Sequence, residues 1–496
     1  MVLHLFNTLG NRVEALVPQL DNTLRMYCCG PTVYDYGHIG NFRTFLHVDA
    51  LRRAALLNGM AIKHVMNITD VDDKIIRNAA AAGLPIAQYT AKYERAFLED
   101  MDALAIQRPE IIARATENIA EMVTLIERLA SEDIAYKTDD GSWYFRIAKF
   151  PDYGKLSGRD LEGMEDGACV DVDEYEKDAA RDFALWKATK PGETSWQTSL
   201  GEGRPGWHIE CSAMAIKHLG PSFDLHAGGE DLTFPHHENE IAQSECATHV
   251  PFARHWFHVH FLLVEGRKMS KSEGNFYTLR DLLLQGHRAS AIRFLLLSVP
   301  YRHQMNFTFE GLTESANAIE RLRTFVRRID AAAKNTDLPT TANAELADLV
   351  AAKHQAFRAA LNNDLNTAEA RAAVFDAVRA GNIALDHSTF GTGDIAALQQ
   401  LLADFDSIFA ILNDRDAAIS RAAMEWATTE GRADEASSGM VAALALTDQQ
   451  IELLIAERTD ARKRRNFARG DAIRNELAEK GVLIEDAKNG VTWKRK

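Results

Sequence analysis

Between residues 24 and 74 the chain alternates short apolar runs with polar turns, a pattern that predicts strand, turn, helix, strand. Leu24-Arg-Met-Tyr-Cys-Cys29 reads as a short strand, ended by Gly30-Pro31 because that pair punctuates regular structure. A helical period runs from Arg43 to Leu57 and stops at Gly59. Residues 62 to 66, Ile-Lys-His-Val-Met, form a second strand, and Asn67-Ile-Thr-Asp-Val-Asp-Asp-Lys74 leads into another helix. Strands and helices alternating in this way open a parallel nucleotide-binding sheet.

The stretch from about 85 to 135 reads as helical with few breakers, and 140 to 206 as a turn-rich insertion that interrupts the sheet. Alternation resumes with a helix from Cys211 to His218 and a strand from Phe223 to His226. A helix from His237 to about Thr248 and a strand near His258 to Val264 follow. From about 310 to 415, Ala, Arg and Leu recur at helical spacing and predict a bundle. Residues 428 to 441 read as a flexible linker, and about the last 50 residues as a separate small module. The expected fold is therefore α/β. A Rossmann-type parallel-sheet domain carries an inserted domain and is followed by an α-helical bundle and a small C-terminal module.

Composition narrows the function classes. At 496 residues the chain exceeds a single compact core, and its 46% apolar content is ordinary for a globular protein. No run approaches the roughly 18 apolar residues of a membrane span, and Met1 to Asn7 lacks the pattern of a signal peptide, so a cytoplasmic protein without a membrane partner is expected. Five cysteines, an odd and sparse count, argue against a disulfide framework and leave any functional cysteine as ligand or nucleophile. The net charge of −15 excludes indiscriminate coating of nucleic acid, yet Arg462, Lys463, Arg464, Arg465 and Arg469 form a local basic cluster.

Two loops carry phosphate chemistry. Gly37-His38-Ile39-Gly40-Asn41 lies between a strand and a helix, where glycines admit a phosphate to the positive helix end and an imidazole can donate to it. Gly266-Arg-Lys268-Met-Ser-Lys271-Ser-Glu-Gly274 offers two lysines and two serines on a short loop able to close over a triphosphate. The two motifs, in this order, resemble the signatures of class I aminoacyl-tRNA synthetases. The resemblance implies that an amino-acid carboxylate attacks the α-phosphate of ATP and that the adenylate then esterifies a tRNA. It implies roles for His38 and Asn41 on the phosphates, for Lys271 in the transition state and for Lys268 in its support. Asn41 replaces the commoner histidine, keeping a donor but not a chargeable group. Mg²⁺ is the implied counter-ion of ATP, with no residue assigned to it.

A third constellation has metal chemistry. His236 and Glu240 stand four residues apart on one helix face, Cys211 stands at the start of a helix whose dipole favours thiolate, and Cys29 ends the first strand at the sheet's carboxyl edge. Two thiolates, an imidazole and a carboxylate suit zinc. From chemistry alone Cys28 competes with Cys29, and His226 and His237 compete with His236; Cys28, Cys169 and Cys246 otherwise read as buried fillers.

The segments Met26 to Tyr34, Asn67 to Lys74, Gly206 to Met214 and Phe234 to Glu240 resemble those of the cysteinyl-tRNA synthetase family, and the likeness runs over nearly the whole chain. It points to Cys29, Cys211, His236 and Glu240 as ligands of one Zn²⁺. It also places Cys29, Gly30, Thr69, Trp207 and His226 around L-cysteine, and Thr32, His38, Gly40, Asn41, Gly228, Glu230, Asp231 and Lys271 around ATP. The implied partner is tRNA(Cys), and the implied state a monomer.

The resemblance also sets boundaries. The Rossmann catalytic domain covers 1–110 and 200–260, the connective insertion 111–199, and the Lys-Met-Ser-Lys-Ser loop with a stem-contact region 261–318. A helical bundle of anticodon-binding type covers 319–425, a linker 426–441 and a tRNA-binding module 442–496. Trp493 has two readings there, stacking on an unpaired base or filling a small core. A related enzyme joins cysteine to an amino sugar by the same chemistry, but the long region beyond about 320 favours tRNA.

Overall fold

The computed structural model describes residues 2–159, 182–190, 192–444, 446, 448–487 and 490–495. Cys169 and the turns from 160 to 181 lie outside them. Five strands form the central parallel sheet: β1 (Thr23–Cys28), β2 (Ala61–Ile68), β3 (Ile111–Arg114), β4 (Phe223–Gly229) and β5 (Ala253–Val259). Their spatial order is β5-β4-β1-β2-β3, every pair parallel. The connections turn in opposite directions from β1, so a crevice opens beyond its carboxyl end, where ligands of such sheets bind.

The pleat sorts the side chains. Met26, Cys28, Met66, Ile68 and Ala227 pack on one face with Phe42 and Leu46 of α1 (Ile39–Leu57). Tyr27, Cys29, Val65 and Trp256 pack on the other with α2 (Trp207–Leu219) and α3 (Glu238–Thr248). Successive residues of a strand point to opposite faces, so the adjacent cysteines part company: Cys28 joins the apolar α1 layer and Cys29 faces α2 and α3. Each large apolar side chain buried in these layers contributes about 1.5–3 kcal/mol.

Several expectations are corrected. The stretch 85–135 is not continuously helical: β3 lies between helices Ile86–Ala103 and Ile119–Ser131. Four residues are too few to display a strand period, and only the register of Val65 opposite Ile111 reveals this one. The boundary at 110/111 thus cuts the central parallel sheet. The insertion contains a five-stranded antiparallel sheet that ends with Gly201–Pro205, so the boundary at 199/200 moves as well. Lys187 and Arg204 of that sheet both bind Asp73, anchoring it beside β2. The strand expected near His258 to Val264 is two strands: β5 ends at Val259, and Leu262–Val264 joins Met305–Phe307 in a separate small sheet.

Helix α4 (Leu279–Leu284) follows the Lys-Met-Ser-Lys-Ser loop, and Phe309–Ala333, Ala344–Asn362, Thr367–Asp386 and Ile395–Phe409 form the bundle. Arg293, buried, ties the domains together by donating to Asp49 and to the carbonyls of Leu104, Ile408 and Phe409. The segment expected as a free linker is helical and docked. Helix α5 (Asp416–Thr429) is followed by Ala433–Glu435 and Ser438–Leu444, Met440 is buried, and Ser437 donates its N–H to the Leu284 carbonyl.

In the terminal module Ile451, Ile473, Leu477 and Val482 form a small core, and Trp493 packs half-buried against it. The basic cluster is partly neutralised: Arg462 pairs with Asp486, Arg464 with Asp460 and Arg469 with Glu457. Among the described residues no helix is long and apolar enough to cross a membrane.

Candidate functional site

Cys29 leaves β1 with its N–H on the Ala227 carbonyl of β4, and Gly30 turns across β2 by donating to Asn67 Oδ1 at 2.7 Å. A Cβ at Gly30 would collide with the Asn67 carbonyl oxygen, so only glycine allows this approach. Cys29 Sγ then faces Cys211 Sγ of α2 at 3.9 Å and Glu240 Oε1 of α3 at 3.7 Å. His236 Nε2 lies 3.1 Å from the same carboxylate oxygen, as the four-residue spacing predicts, although α3 begins only at Glu238. The donor atoms of Cys29, Cys211, His236 and Glu240 all lie within 4.8 Å of one another, and all four residues are buried.

The surroundings orient this group. His226, stacked on Trp256 at 4.5 Å, meets the other Glu240 oxygen at 2.8 Å and leaves Oε1 to face His236 and Cys29. The Trp207 ring stacks on His236 at 4.2 Å, while His208 Nδ1 meets His236 Nδ1 at 2.9 Å. His237 Nε2 approaches Cys29 Sγ at 3.3 Å, and its Nδ1 is held by His258, which is held in turn by Thr8. A second set, Cys29, His226, His237 and Glu240, also meets the proximity needed for a metal.

Charge is distributed unevenly. Burial pushes thiols up, but hydrogen bonding to Cys29 and the nearby His236 bring Cys211 down to about 6, while Cys29 stays well above the usual thiol range. Burial disfavours the Glu240 carboxylate, yet His226 and His236 hold it at about 2; Glu240 and Cys211 in turn raise buried His236 to about 10. The cause of the low Cys211 value is not the expected one. Helix α2 begins at Trp207, so Cys211 sits beyond the first turn, where the dipole has faded, and its neighbours replace that effect.

Next to the cluster, Thr69 Oγ1 donates to buried Glu210 Oε2 at 3.0 Å and accepts from Asn67 Nδ2. Thr32 bridges to Thr69 through backbone pairing. Gly228, at the end of β4, packs under the His237 ring. Glu230 follows as a partner of His260 at 3.1 Å, and Asp231 is exposed.

The phosphate loops are brought together at the amino end of α1. His38 and Asn41 cap the helix reciprocally: His38 Nδ1 accepts from the Asn41 N–H, and Asn41 Oδ1 accepts from the His38 N–H, each at 3.2 Å. With Nδ1 an acceptor, Nε2 carries the imidazole proton. Burial and the Lys271 charge lower His38 to about 4, so it is a neutral donor. Gly40 lies against the His38 ring. Asn41 is therefore accounted for as a cap, and its amide is exposed. Ile39 donates its N–H to the Tyr277 carbonyl, joining the two loops. Lys271 Nζ donates to Asp35 Oδ2 at 2.7 Å, and Lys268 stands exposed on a two-residue strand.

Residue patterns alone do not flag Asp35, Glu210, His258 or Asn275. Asn275 pins the lysine loop by accepting from Ser270 N–H and donating to the Lys268 carbonyl. The acid three residues before His38 is a usable signal for Asp35; nothing local marks the others.

Residues 15–317 match the family model for the tRNA synthetases class I (C) catalytic domain, residues 356–413 the DALR domain, and residues 446–493 the cysteinyl-tRNA ligase anticodon binding domain. The cysteine–tRNA ligase of Koribacter versatilis (strain Ellin345) is 58% identical over 503 residues and that of Solibacter usitatus (strain Ellin6076) 53% over 496, each covering 100% of both chains. Mycobacterium tuberculosis methionyl-tRNA synthetase, solved in complex with methionyl-adenylate, shares the fold at 15% identity, with a TM-score of 0.59 over 86% of this chain and 95% of that one.

Proposed function

The chain belongs to the cysteine–tRNA ligase family, whose reaction joins cysteine to tRNA(Cys) with ATP, and on that premise we propose that Cys29, Cys211, His236 and Glu240 hold the zinc ion that selects the substrate. The observation that carries this is the convergence of four buried donors from β1, α2 and the start of α3. Two sulfurs, one imidazole and one carboxylate are the donor types zinc prefers. The set with His226 and His237 offers one sulfur only. It would leave the buried Cys211 sulfur outside the set, although it lies 3.9 Å from Cys29 Sγ, and would take His226 from the oxygen it orients.

Selection needs such a device. Serine differs from cysteine by one atom, and shape alone discriminates such pairs by about 1–3 kcal/mol. When bound, zinc supplies a Lewis acid that favours a sulfur ligand over a hydroxyl. Gly30, Thr69, Trp207 and His226 border the same site and would contact the substrate cysteine.

The rest of the reaction falls to the loops. The cysteine carboxylate forms a bond to the α-phosphorus while the bond to the bridging oxygen of pyrophosphate breaks. His38 Nε2–H, at the positive end of α1, donates to a phosphate oxygen, and Lys271 offsets the negative charge growing on the leaving group. Gly40 and Gly228 allow close backbone approach, with Thr32, Glu230 and Asp231 bordering the nucleotide. Asn41 contributes by holding His38 in its donor tautomer, and Lys268 adds positive charge at the loop base. Mg²⁺ accompanies ATP. Attack by a ribose hydroxyl of the tRNA end on the adenylate carbonyl then expels AMP.

Metal content of the purified protein, together with cysteine-versus-serine adenylation, tests the site. Cys211→Ser should lose most bound zinc, and discrimination should fall towards the roughly 10–200-fold that size alone provides. Full zinc content in Cys211→Ser with loss in His226→Ala would favour the other ligand set. Unchanged zinc and unchanged discrimination in both would overturn the assignment.

A further inference from the structure

The segment that reads as a linker closes over the outside of both phosphate loops. Trp426 of α5 meets the Tyr36 ring edge-on at 5.3 Å, and Tyr36 stands two residues before His38. Arg280 of α4, buried, covers both rings, its Cζ 4.7 Å from the centroid of Trp426 and 5.4 Å from that of Tyr36. Arg280 is itself fixed by the Ala96 carbonyl, Glu99 and Asp100.

Further along the same segment, Arg432 donates to Asp281 at 2.8 Å, and Asp281 belongs to the capping box that starts α4. Glu430 pairs with Lys92 at 2.5 Å, and Ser437 N–H closes on Leu284, the last residue of α4. One stretch of chain thus grips the loop that bears His38 and both ends of the helix on which the Lys271 loop lands. The loops are also joined to each other, by Ile39 N–H on Tyr277 and by the bridge of His38 to Thr278. A displacement of α4 therefore moves both phosphate-contacting groups together. At its other end the segment is continuous with the helix bundle through α5.

We propose that residues 426–437 form a strap that holds the His38 and Lys271 loops in register for adenylate formation, with Trp426 and Arg432 as its positioning residues. The strap makes the adenylation step sensitive to how the bundle sits. This rests on the reading of His38 and Lys271 as phosphate-contacting groups. Neither strap residue touches substrate; each acts through Tyr36, Arg280 or Asp281, and a misplacement of about 1 Å at a reacting centre costs up to 10²-fold in rate.

The test is cysteine-dependent ATP–pyrophosphate exchange in the full-length protein, with melting temperature measured alongside. Trp426→Ala should lower kcat about tenfold and leave KM for cysteine within about twofold, because the metal pocket lies on the other face of the sheet. Arg432→Ala, a partly exposed change, should lower kcat less, with KM for cysteine again unmoved. Trp426→Phe, which keeps an aromatic edge on Tyr36, should recover most of the rate. An unchanged kcat in both Trp426→Ala and Arg432→Ala, whatever their melting temperatures, overturns the strap. A parallel loss of kcat and of cysteine KM in every variant, not recovered by Trp426→Phe, also overturns it, since that marks general loosening. His38→Ala separates the strap from the phosphate site beneath it. If it exchanges normally, the phosphate-site reading fails; if it is inactive while the strap variants are normal, the strap alone fails.

Discussion

The candidate metal cluster and the loops proposed to contact phosphate lie at the same edge of one sheet, yet they are built in opposite ways. The cluster is buried, with His226 and Glu240 fully enclosed and every donor fixed by at least one neighbour. The loops are open: Lys271 keeps 65% of its side-chain exposure and its partner Asp35 37%. Each arrangement suits the task proposed for it. Telling sulfur from oxygen requires donors that do not relax towards the wrong substrate, and hence a rigid wall. Neutralising charge that appears only as pyrophosphate leaves requires a cation that is hydrated beforehand and arrives with the triphosphate.

The largest expected effect separates catalysis from stability. Lys271→Ala should lower the rate of pyrophosphate exchange by about 10²–10³-fold, the usual cost of one charge-stabilising donor. Its melting temperature should stay at the wild-type value, because exposed substitutions rarely move stability beyond about 0.5 kcal/mol. A large drop in melting temperature would mean that the loop is part of the folded frame, and the contrast between rigid cluster and open loop would collapse.

The neighbouring cysteines give a second, smaller contrast within one turn of chain. Cys28→Ser places a hydroxyl in the apolar layer under α1 and should cost about 1–3 kcal/mol of stability, with zinc content unchanged. Cys29→Ser should do the reverse, losing zinc with a lesser effect on the metal-free fold. Denaturant midpoints and metal analysis on both variants decide it, and equal zinc loss from the two would show that the pleat does not separate their roles.

That pair also shows how much of the site is legible in the sequence. Strand parity is there to be read, since Met26 and Cys28 alternate with Tyr27 and Cys29, but parity assigns a face only once the packing of α1 against α2 and α3 is known. The His236–Glu240 pairing is legible because four-residue spacing on a helix is local geometry. The convergence of Cys29 with Cys211 is not, since 182 residues and a whole inserted domain separate them. Helix α1 and strands β1, β2 and β4 announce themselves by length and punctuation. The four-residue β3 stays hidden because its partner lies in another part of the chain. The strap escapes a sequence reading for a related reason: its small and charged residues look like a linker, and what docks it is Trp426, Glu430, Arg432 and Ser437 meeting distant residues.

The smallest effect concerns the Asp35–Lys271 pair, which can either hold Lys271 ready or hold it back. At 2.7 Å the carboxylate raises the affinity of Lys271 for its proton, yet both groups are substantially exposed, and such pairs are worth about 0–1 kcal/mol. If the lysine must leave Asp35 to meet a triphosphate, the pair competes with ATP. Asp35→Asn should then lower KM for ATP by up to about fivefold with kcat nearly unchanged, since at most ~1 kcal/mol is released. The difference from wild type should shrink as ionic strength rises, because screening weakens the pair it removes. A fall in kcat at constant KM for ATP would mean the opposite, that Asp35 guides Lys271 to its working position. In that case part of the rigidity found in the metal cluster extends into the loop.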